Sequence, residues 1–285
     1  MFTFFIAVGL LILGYFFYGK FIEKVFKPDT QKATPAYDKG DGVDFIPMNK
    51  TKNAFIQVLN IAGVGPIFGP ILGALYGPVA FLWIVVGAIF AGAVHDYLTG
   101  MISIRHGGAH LPALAAKYLG KPFSHVVNFF TVLLLLLVGT VFISAPASMI
   151  NGLMENKADY LTIITLAIFG YYIISTVLPI DKIIGKIYPV LGFLLLVSAL
   201  GIGISMFFVE NSIPELTLEN IHPNSLPYYP VIFLTISCGA LSGFHATQSP
   251  IISRTVKNEK DGRTIFYGMM IVEAIIAMIW ASAAM

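Results

Sequence analysis

Eight apolar stretches, each close to the roughly 20 residues that cross a bilayer as a helix, recur along this chain of 285 residues. They cover about 2–19, 54–76, 78–104, 123–152, 158–178, 187–209, 229–249 and 264–284. The pattern predicts an all-α polytopic membrane protein with about eight transmembrane helices. Composition agrees: 57% of residues are hydrophobic, 11% are charged and the mean hydropathy is +0.82, whereas a soluble domain carries about 25% charged residues. The net charge of +2 says little about partners; the lipid bilayer is one, and no nucleic-acid partner is expected. A single cysteine, Cys238, leaves no internal disulfide framework. The first stretch lacks a basic leading region and a small-residue cleavage site, so it reads as a retained span.

Charge in the linkers sets a topology. The linkers 20–53, 105–122, 179–186 and 250–263 hold every Lys and Arg except Lys157, and 210–228 holds Glu210, Glu215 and Glu219 with no Lys or Arg. Lys and Arg collect on the cytoplasmic side. Eight spans therefore give a self-consistent arrangement in a bacterial-type inner membrane, with the N-terminus outside. The linker 20–53, broken by Pro28, Pro35, Gly40 and Gly42, is expected to be an extended cytoplasmic loop. The linker 210–228 is expected to be an external loop with room for a short helix, and 110–119 a short interfacial helix.

Two spans carry helix-breaking residues at mid-depth. The second contains Gly63-Val64-Gly65-Pro66-Ile67-Phe68-Gly69-Pro70, and the seventh contains Ser237-Cys238-Gly239-Ala240-Leu241-Ser242-Gly243. Backbone leaves the helical ladder at that depth only where it lines a cavity or lies buried in protein. Paired interruptions in corresponding positions mark the substrate site of secondary transporters. With 1–53 set aside as an accessory helix plus loop, 54–209 forms a first set of five helices. The loop 210–228 follows, and 229–285 begins a second set of opposite orientation. That is a LeuT-like inverted repeat with its second half incomplete: either the chain belongs to a longer protein or the repeat is absent.

Three blocks carry a resemblance. Asn60–Pro78 reads NIAGVGPIFGPILGALYGP, His95–Pro112 reads HDYLTGMISIRHGGAHLP, and Cys238–Thr255 reads CGALSGFHATQSPIISRT. In this order they resemble the N-terminal part of the carbon starvation protein A family. The resemblance implies membership of the amino acid–polyamine–organocation superfamily, with its LeuT-like fold. It also implies inner-membrane uptake of peptides, or of small carboxylates such as pyruvate, under nutrient starvation.

Breaking a helix frees amides at the start of one half and carbonyls at the end of the other. The amide end holds a carboxylate and the carbonyl end a cation. Candidate substrate-binding residues are therefore Gly63, Gly65, Ile67, Phe68 and Gly69 at the first interruption, with Ser237, Gly239, Ser242 and Gly243 at the second. The competing reading is a proline kink packed through small residues. Ionisable residues within spans are functional suspects by default, and His95, Asp96, His245 and Glu273 are the candidates for ion coupling or gating. Arg105 or His106, about two turns beyond Asp96, is its expected partner. His245 either relays protons or merely donates to a carbonyl. Glu273 is the one acid deep inside a span; low dielectric favours a neutral carboxyl, which suits a proton carrier. Asn60 and Gln57 are candidate polar lining, as are Asn128 and Thr131 in the fourth span.

The leading expectation is a secondary active transporter for a small organic solute, working by alternating access and driven by H+ or Na+, with protons favoured. The chain contains no GxxxxGK[ST] phosphate loop, and neither an enzyme nor a resident cofactor or metal is expected. The alternatives are a nutrient-sensing receptor module and a membrane enzyme or haem protein.

Overall fold

The computed structural model describes residues 1–63, 65–154, 160–177, 180–208, 213–241 and 244–285, with the backbone only at 177, 180–189 and 234. No β-strand occurs among them; one isolated bridge joins Met48 to Val256. In chain order the helices are α1 (Phe2–Phe16), α2 (Tyr18–Phe26), α3 (Pro35–Asp38), α4 (Lys50–Ile61), α5 (Gly65–Ala74), α6 (Val79–Gly87) and α7 (Ala93–Arg105). They continue as α8 (Leu111–Leu119), α9 (Lys121–Gly152), α10 (Tyr160–Val177), α11 (Ile180–Ser205), α12 (Val231–Ala240), α13 (His245–Ser253) and α14 (Met269–Ala284). Two π-helical segments interrupt the ladder: Ala88–Gly92 joins α6 to α7, and Arg263–Gly268 leads into α14.

Among the described residues, six helical stretches are long and apolar enough to cross a membrane: Phe2–Phe26, Val79–Arg105, Lys121–Gly152, Val190–Phe208, Val231–Ser253 and Glu259–Ala284. A seventh is the bent pair α4 and α5, whose axes meet at 53°. Tyr160–Thr176 is a shorter apolar helix. Each of the eight apolar stretches in the sequence thus falls on a helix or a helix pair, in a polytopic all-helical membrane protein.

The chain groups into two compact units, Met1–Leu111 with Leu191–Met285, and Pro112–Val190. The first unit owns the packed core. Tyr97, Met101, Phe81 and Ile84 from α6 and α7 close against Phe266, Tyr267, Met270 and Met278 around α14, all fully buried. The second unit is simpler. Its α9 runs for 32 residues, about 48 Å at 1.5 Å per residue, and buries only Ala147. Phe129, Phe130, Leu136 and Leu137 stand more than half exposed, as lipid-facing side chains do. Tyr172 of α10 donates to the Phe142 carbonyl of α9 at 3.2 Å.

Two linker expectations change. The segment after the first span is not extended from residue 20: helix continues to Phe26 after a kink at Phe17 (φ −97°, ψ −63°). It stops where Lys27 turns left-handed (φ 55°) and Pro28 follows, which cannot continue a helical ladder. The segment beyond is pinned. Asp29 donates from its backbone to Glu259 Oε2 at 2.7 Å, Thr34 Oγ1 to the Val256 carbonyl at 2.5 Å, and the Met48 amide to the Thr255 carbonyl at 2.9 Å. In the other linker no helix forms over 213–228. Glu215 instead accepts the Phe2 and Thr3 amides at the head of α1, both at 2.8 Å, and the terminal ammonium at 2.7 Å. The ammonium bond, then those from Thr3 and Phe2, hold the Glu215 carboxyl down at about 2.

Candidate functional site

Both sequence interruptions are real breaks. In the first, α4 ends at Ile61 and the chain makes an inverse γ-turn at Ala62 (φ −79°, ψ 55°). The Gly63 amide donates to the Ile61 carbonyl at 2.9 Å, the three-residue bond of that turn. The new helix α5 starts at Gly65. Pro66 occupies its first turn, where a missing N–H costs no ladder bond. Pro70 sits inside α5 and removes one. In the second break, α12 ends at Ala240, Leu241 is extended (φ −161°, ψ 118°), and α13 starts at His245. Ser242 and Gly243 lie outside the described residues.

The two breaks adjoin. A Cβ on Gly65, the first residue of α5, would stand 3.0 Å from Cys238 Cβ, two residues before α12 ends. A Cβ on Gly69 would collide with the Thr235 carbonyl oxygen, and one on Gly239 would stand 2.7 Å from Ala277 and 3.0 Å from Pro70. These glycines let α5, α12 and α14 approach to near backbone contact. Gly63, Ile67 and Ser237 are half-buried and Phe68 is 43% exposed, so the described residues place Phe68 on the periphery rather than against α12.

The ionisable candidates come together. His245, the first residue of α13, stands between two carboxylates from other helices. Its Nδ1 is 3.2 Å from Asp96 Oδ2 on α7, and its Nε2 is 3.3 Å from Glu273 Oε2 on α14. All three side chains are fully buried. His95 Nδ1 lies 3.2 Å from the other Asp96 oxygen, with its ring one-third exposed. The contacts of His245 are close enough for ion pairs but not aligned as hydrogen bonds. Both its nitrogens, Asp96 Oδ2 and both Glu273 oxygens have no hydrogen-bond partner among the described residues. A buried polar cluster left partly unsatisfied is costly unless it does something else.

The local backbone explains how three helices present these groups at one depth. Asp96 follows the π segment Ala88–Gly92, Glu273 follows the π segment Arg263–Gly268, and His245 follows the second break. Single-turn π segments gather at functional sites. A Cβ on Gly92 would collide with the Ala240 carbonyl, so the first π segment presses against the end of α12.

The expected partnership of Asp96 with Arg105 or His106 does not form. Nine residues rotate a helix by two and a half turns, which puts Arg105 on the opposite face from Asp96. Arg105 grips buried Glu259 through Nε at 3.2 Å and Nη2 at 3.1 Å, donates to the Lys27 carbonyl at 2.7 Å, and lies 4.0 Å over the Phe26 ring. His106 Nδ1 lies 2.8 Å from the Ile102 carbonyl. Asn60 is half-buried near the end of α4. Gln57, one turn earlier, is fully buried. Its Nε2 lies 3.5 Å from Ser249 Oγ and its Oε1 has no partner among the described residues. Sequence reasoning did not pick Ser103, Ser249 or Ser253. Their signal was periodicity: Ser249 and Ser253 follow His245 at intervals of four, and Ser103 follows Asp96 by seven.

The fold and this site define a polytopic helical membrane protein with broken spans and a buried titratable centre. The chain belongs to the family described as carbon starvation protein CstA, whose model matches residues 1–163 and 149–285. An uncharacterized membrane protein of Haemophilus influenzae is 48% identical over 98% of this chain and 89% of its own length. The pyruvate/proton symporter BtsT of Escherichia coli is 28% identical over 98% of this chain and 48% of its own. The peptide transporter CstA of Bacillus subtilis is 27% identical over 98% and 57%. The chain therefore spans about half the length of these named relatives, which are transporters and not enzymes. The alignments run over 331 to 343 positions against 285 residues here, so the relatives carry residues with no counterpart in this chain. No solved structure matches the chain.

Proposed function

We propose that this chain forms the substrate- and proton-handling part of a secondary active transporter that imports a small carboxylate or peptide across the inner membrane under nutrient starvation. The observation that carries the reading is the fully buried Asp96–His245–Glu273 cluster, which ties α7 to α13 and α14 across the interrupted spans. With His245 protonated and both acids ionised the cluster carries one net negative charge. Net charge without solvent is expensive in a low-dielectric interior, and one further proton removes it. Proton occupancy thereby sets how strongly the three helices attract one another, which biases a two-state equilibrium. Names of the relatives support both the proton and the two solute classes.

In this reading the solute carboxylate lies at the head of α5, over the amides of Gly65, Ile67, Phe68 and Gly69, with Gly63, Ser237 and Gly239 around it and Asn60 lining the approach. The architecture is a LeuT-like inverted repeat of about eight spans in this chain, with the N-terminus outside. The coupling group is the cluster, with His95 against Asp96 at its edge.

The test is uptake of labelled pyruvate and of labelled dipeptides into proteoliposomes, with proton or sodium gradients imposed separately. Accumulation of one solute class under the proton gradient supports the proposal. Accumulation driven by sodium alone, or no gradient-driven accumulation of either solute, contradicts it.

A further inference from the structure

Toward their C-terminal ends, α7 and α13 share a buried polar seam. His245, Ser249 and Ser253 recur every four residues on α13, and Asp96 and Ser103 are seven apart on α7. Both spacings keep side chains on one helix face, and all five are fully buried. The faces meet at both ends: His245 with Asp96 at 3.2 Å, and Ser253 Oγ with Ser103 Oγ at 2.8 Å. Midway, Ser249 faces Gln57 of α4. At the far end Ser103 Oγ donates to the Ala109 carbonyl at 2.8 Å, in the turn that leaves α7. The seam is about 12 Å long at 1.5 Å per residue. It points toward the linkers that carry the basic residues.

Thr140, Thr165 and Ser198 donate to the carbonyl four residues earlier on their own helix, which satisfies the hydroxyl and asks nothing of a neighbour. In the seam, Ser253 also donates to a carbonyl of its own helix, that of Pro250 at 2.6 Å, and its oxygen in addition meets Ser103 Oγ across the helix pair. Two buried acceptors beside it, Gln57 Oε1 and Asp96 Oδ2, have no hydrogen-bond partner among the described residues. Such acceptors are where buried water binds.

We propose that the α7–α13 seam is the proton path between the Asp96–His245–Glu273 cluster and the cytoplasmic face. Ser249, Ser253 and Ser103 are its relay hydroxyls, and Gln57 holds a water at its midpoint. The inference rests on the proton reading of the cluster and extends it. A hydroxyl both donates and accepts. Each serine takes a proton on an oxygen lone pair and releases its own O–H proton to the next member, so one proton enters, one leaves, and the serine is unchanged. One helical turn of about 6 Å separates successive serines of α13, a gap that one bridging water closes.

The experiment uses the protein in proteoliposomes containing a trapped pH dye, with pyruvate and alanyl-alanine as probe solutes. The double variant Ser249→Ala/Ser253→Ala should lower solute-dependent proton influx by about a hundredfold, the low end of the scale of a positioned proton-transfer group. Solute exchange at equal pH on both sides, which requires no net proton movement, should stay at the wild-type rate and shows that the variant is folded. Ser249→Thr, which keeps the hydroxyl, should retain wild-type influx. Gln57→Leu should slow influx less than the double variant. Proton influx within twofold of wild type in the double variant overturns the path, as does a parallel fall in exchange. Glu273→Gln separates the two claims. If it abolishes influx while the serine variant does not, the path fails and the cluster reading stands; if neither affects influx, or wild type moves no protons with either solute, both fail.

Discussion

The two units of this protein solve the same problem of living in lipid in opposite ways. In the second unit α9 runs helical for 32 residues, buries a single alanine and exposes apolar side chains along its length; its one interior proline, Pro146, frees only the Phe142 carbonyl, which takes the Tyr172 hydroxyl. In the first unit the spans bend, break or loosen into π turns, and each irregularity lies next to a buried polar group. An intact helix satisfies its own backbone and asks for nothing but hydrocarbon around it. A broken one releases donors and acceptors that something must meet. The difference teaches that backbone irregularity and buried charge occur together, and that both lie in the first unit.

That contrast can be broken by substitution. The largest effect is expected at His245. His245→Ala leaves Glu273 buried without its partner and Asp96 with His95 alone, which costs about 3–5 kcal/mol. Folded yield in detergent and thermal unfolding should both drop sharply, and Glu273→Gln on that background should restore part of the loss. Arg105→Ala, which strips a two-pronged partner from buried Glu259, should cost about 2–4 kcal/mol, less because Arg105 is itself one-third exposed.

A sharper comparison uses one substitution in both units. Gly69→Ala sets a methyl against the Thr235 carbonyl oxygen, whereas Gly139→Ala in α9 meets nothing within 4 Å. The first should destabilise by about 1–3 kcal/mol. The second should be neutral or stabilise by up to about 1 kcal/mol through helix propensity. Equal effects in thermal unfolding would erase the distinction between the units. The smallest effect concerns Glu215. Its carboxyl sits near 2 when folded against 4.5 ordinarily, so its contribution is complete above about 4.5 and is lost as pH falls toward 2. Protection of the Phe2 and Thr3 amides, taken relative to the intrinsic exchange rate at each pH, should fall over that window, and Glu215→Gln should lower it at neutral pH.

Much of this architecture was legible in the sequence, because a bilayer imposes length and apolarity that no other fold needs. The stretches 78–104 and 123–152 match their helices within a few residues. The breaks were legible too, since Gly63–Pro70 carries five glycines and prolines in eight residues and Gly239 sits at the end of α12. The individual suspects Asp96, His245 and Glu273 followed from burial cost alone. Their meeting did not, because 149 residues separate the first two and no local pattern encodes a contact across that distance. The π segments were invisible for a related reason. Residues 88–92 are AIFAG, unremarkable as α-helix, and only packing against the Ala240 carbonyl distinguishes them. The Asp96–Arg105 pairing failed because proximity in sequence was weighed without helix phase. Residues 20–26 were read as loop because prolines and glycines beyond Lys27 were averaged over a segment whose first turns are helical.

The most direct measurement is solute accumulation against the size of an imposed proton gradient, compared between the wild-type protein and Glu273→Gln. The account predicts accumulation that rises with the gradient in wild type. In the variant it should stay flat across all gradients while downhill exchange continues. Accumulation in Glu273→Gln that tracks the gradient as wild type does would contradict it.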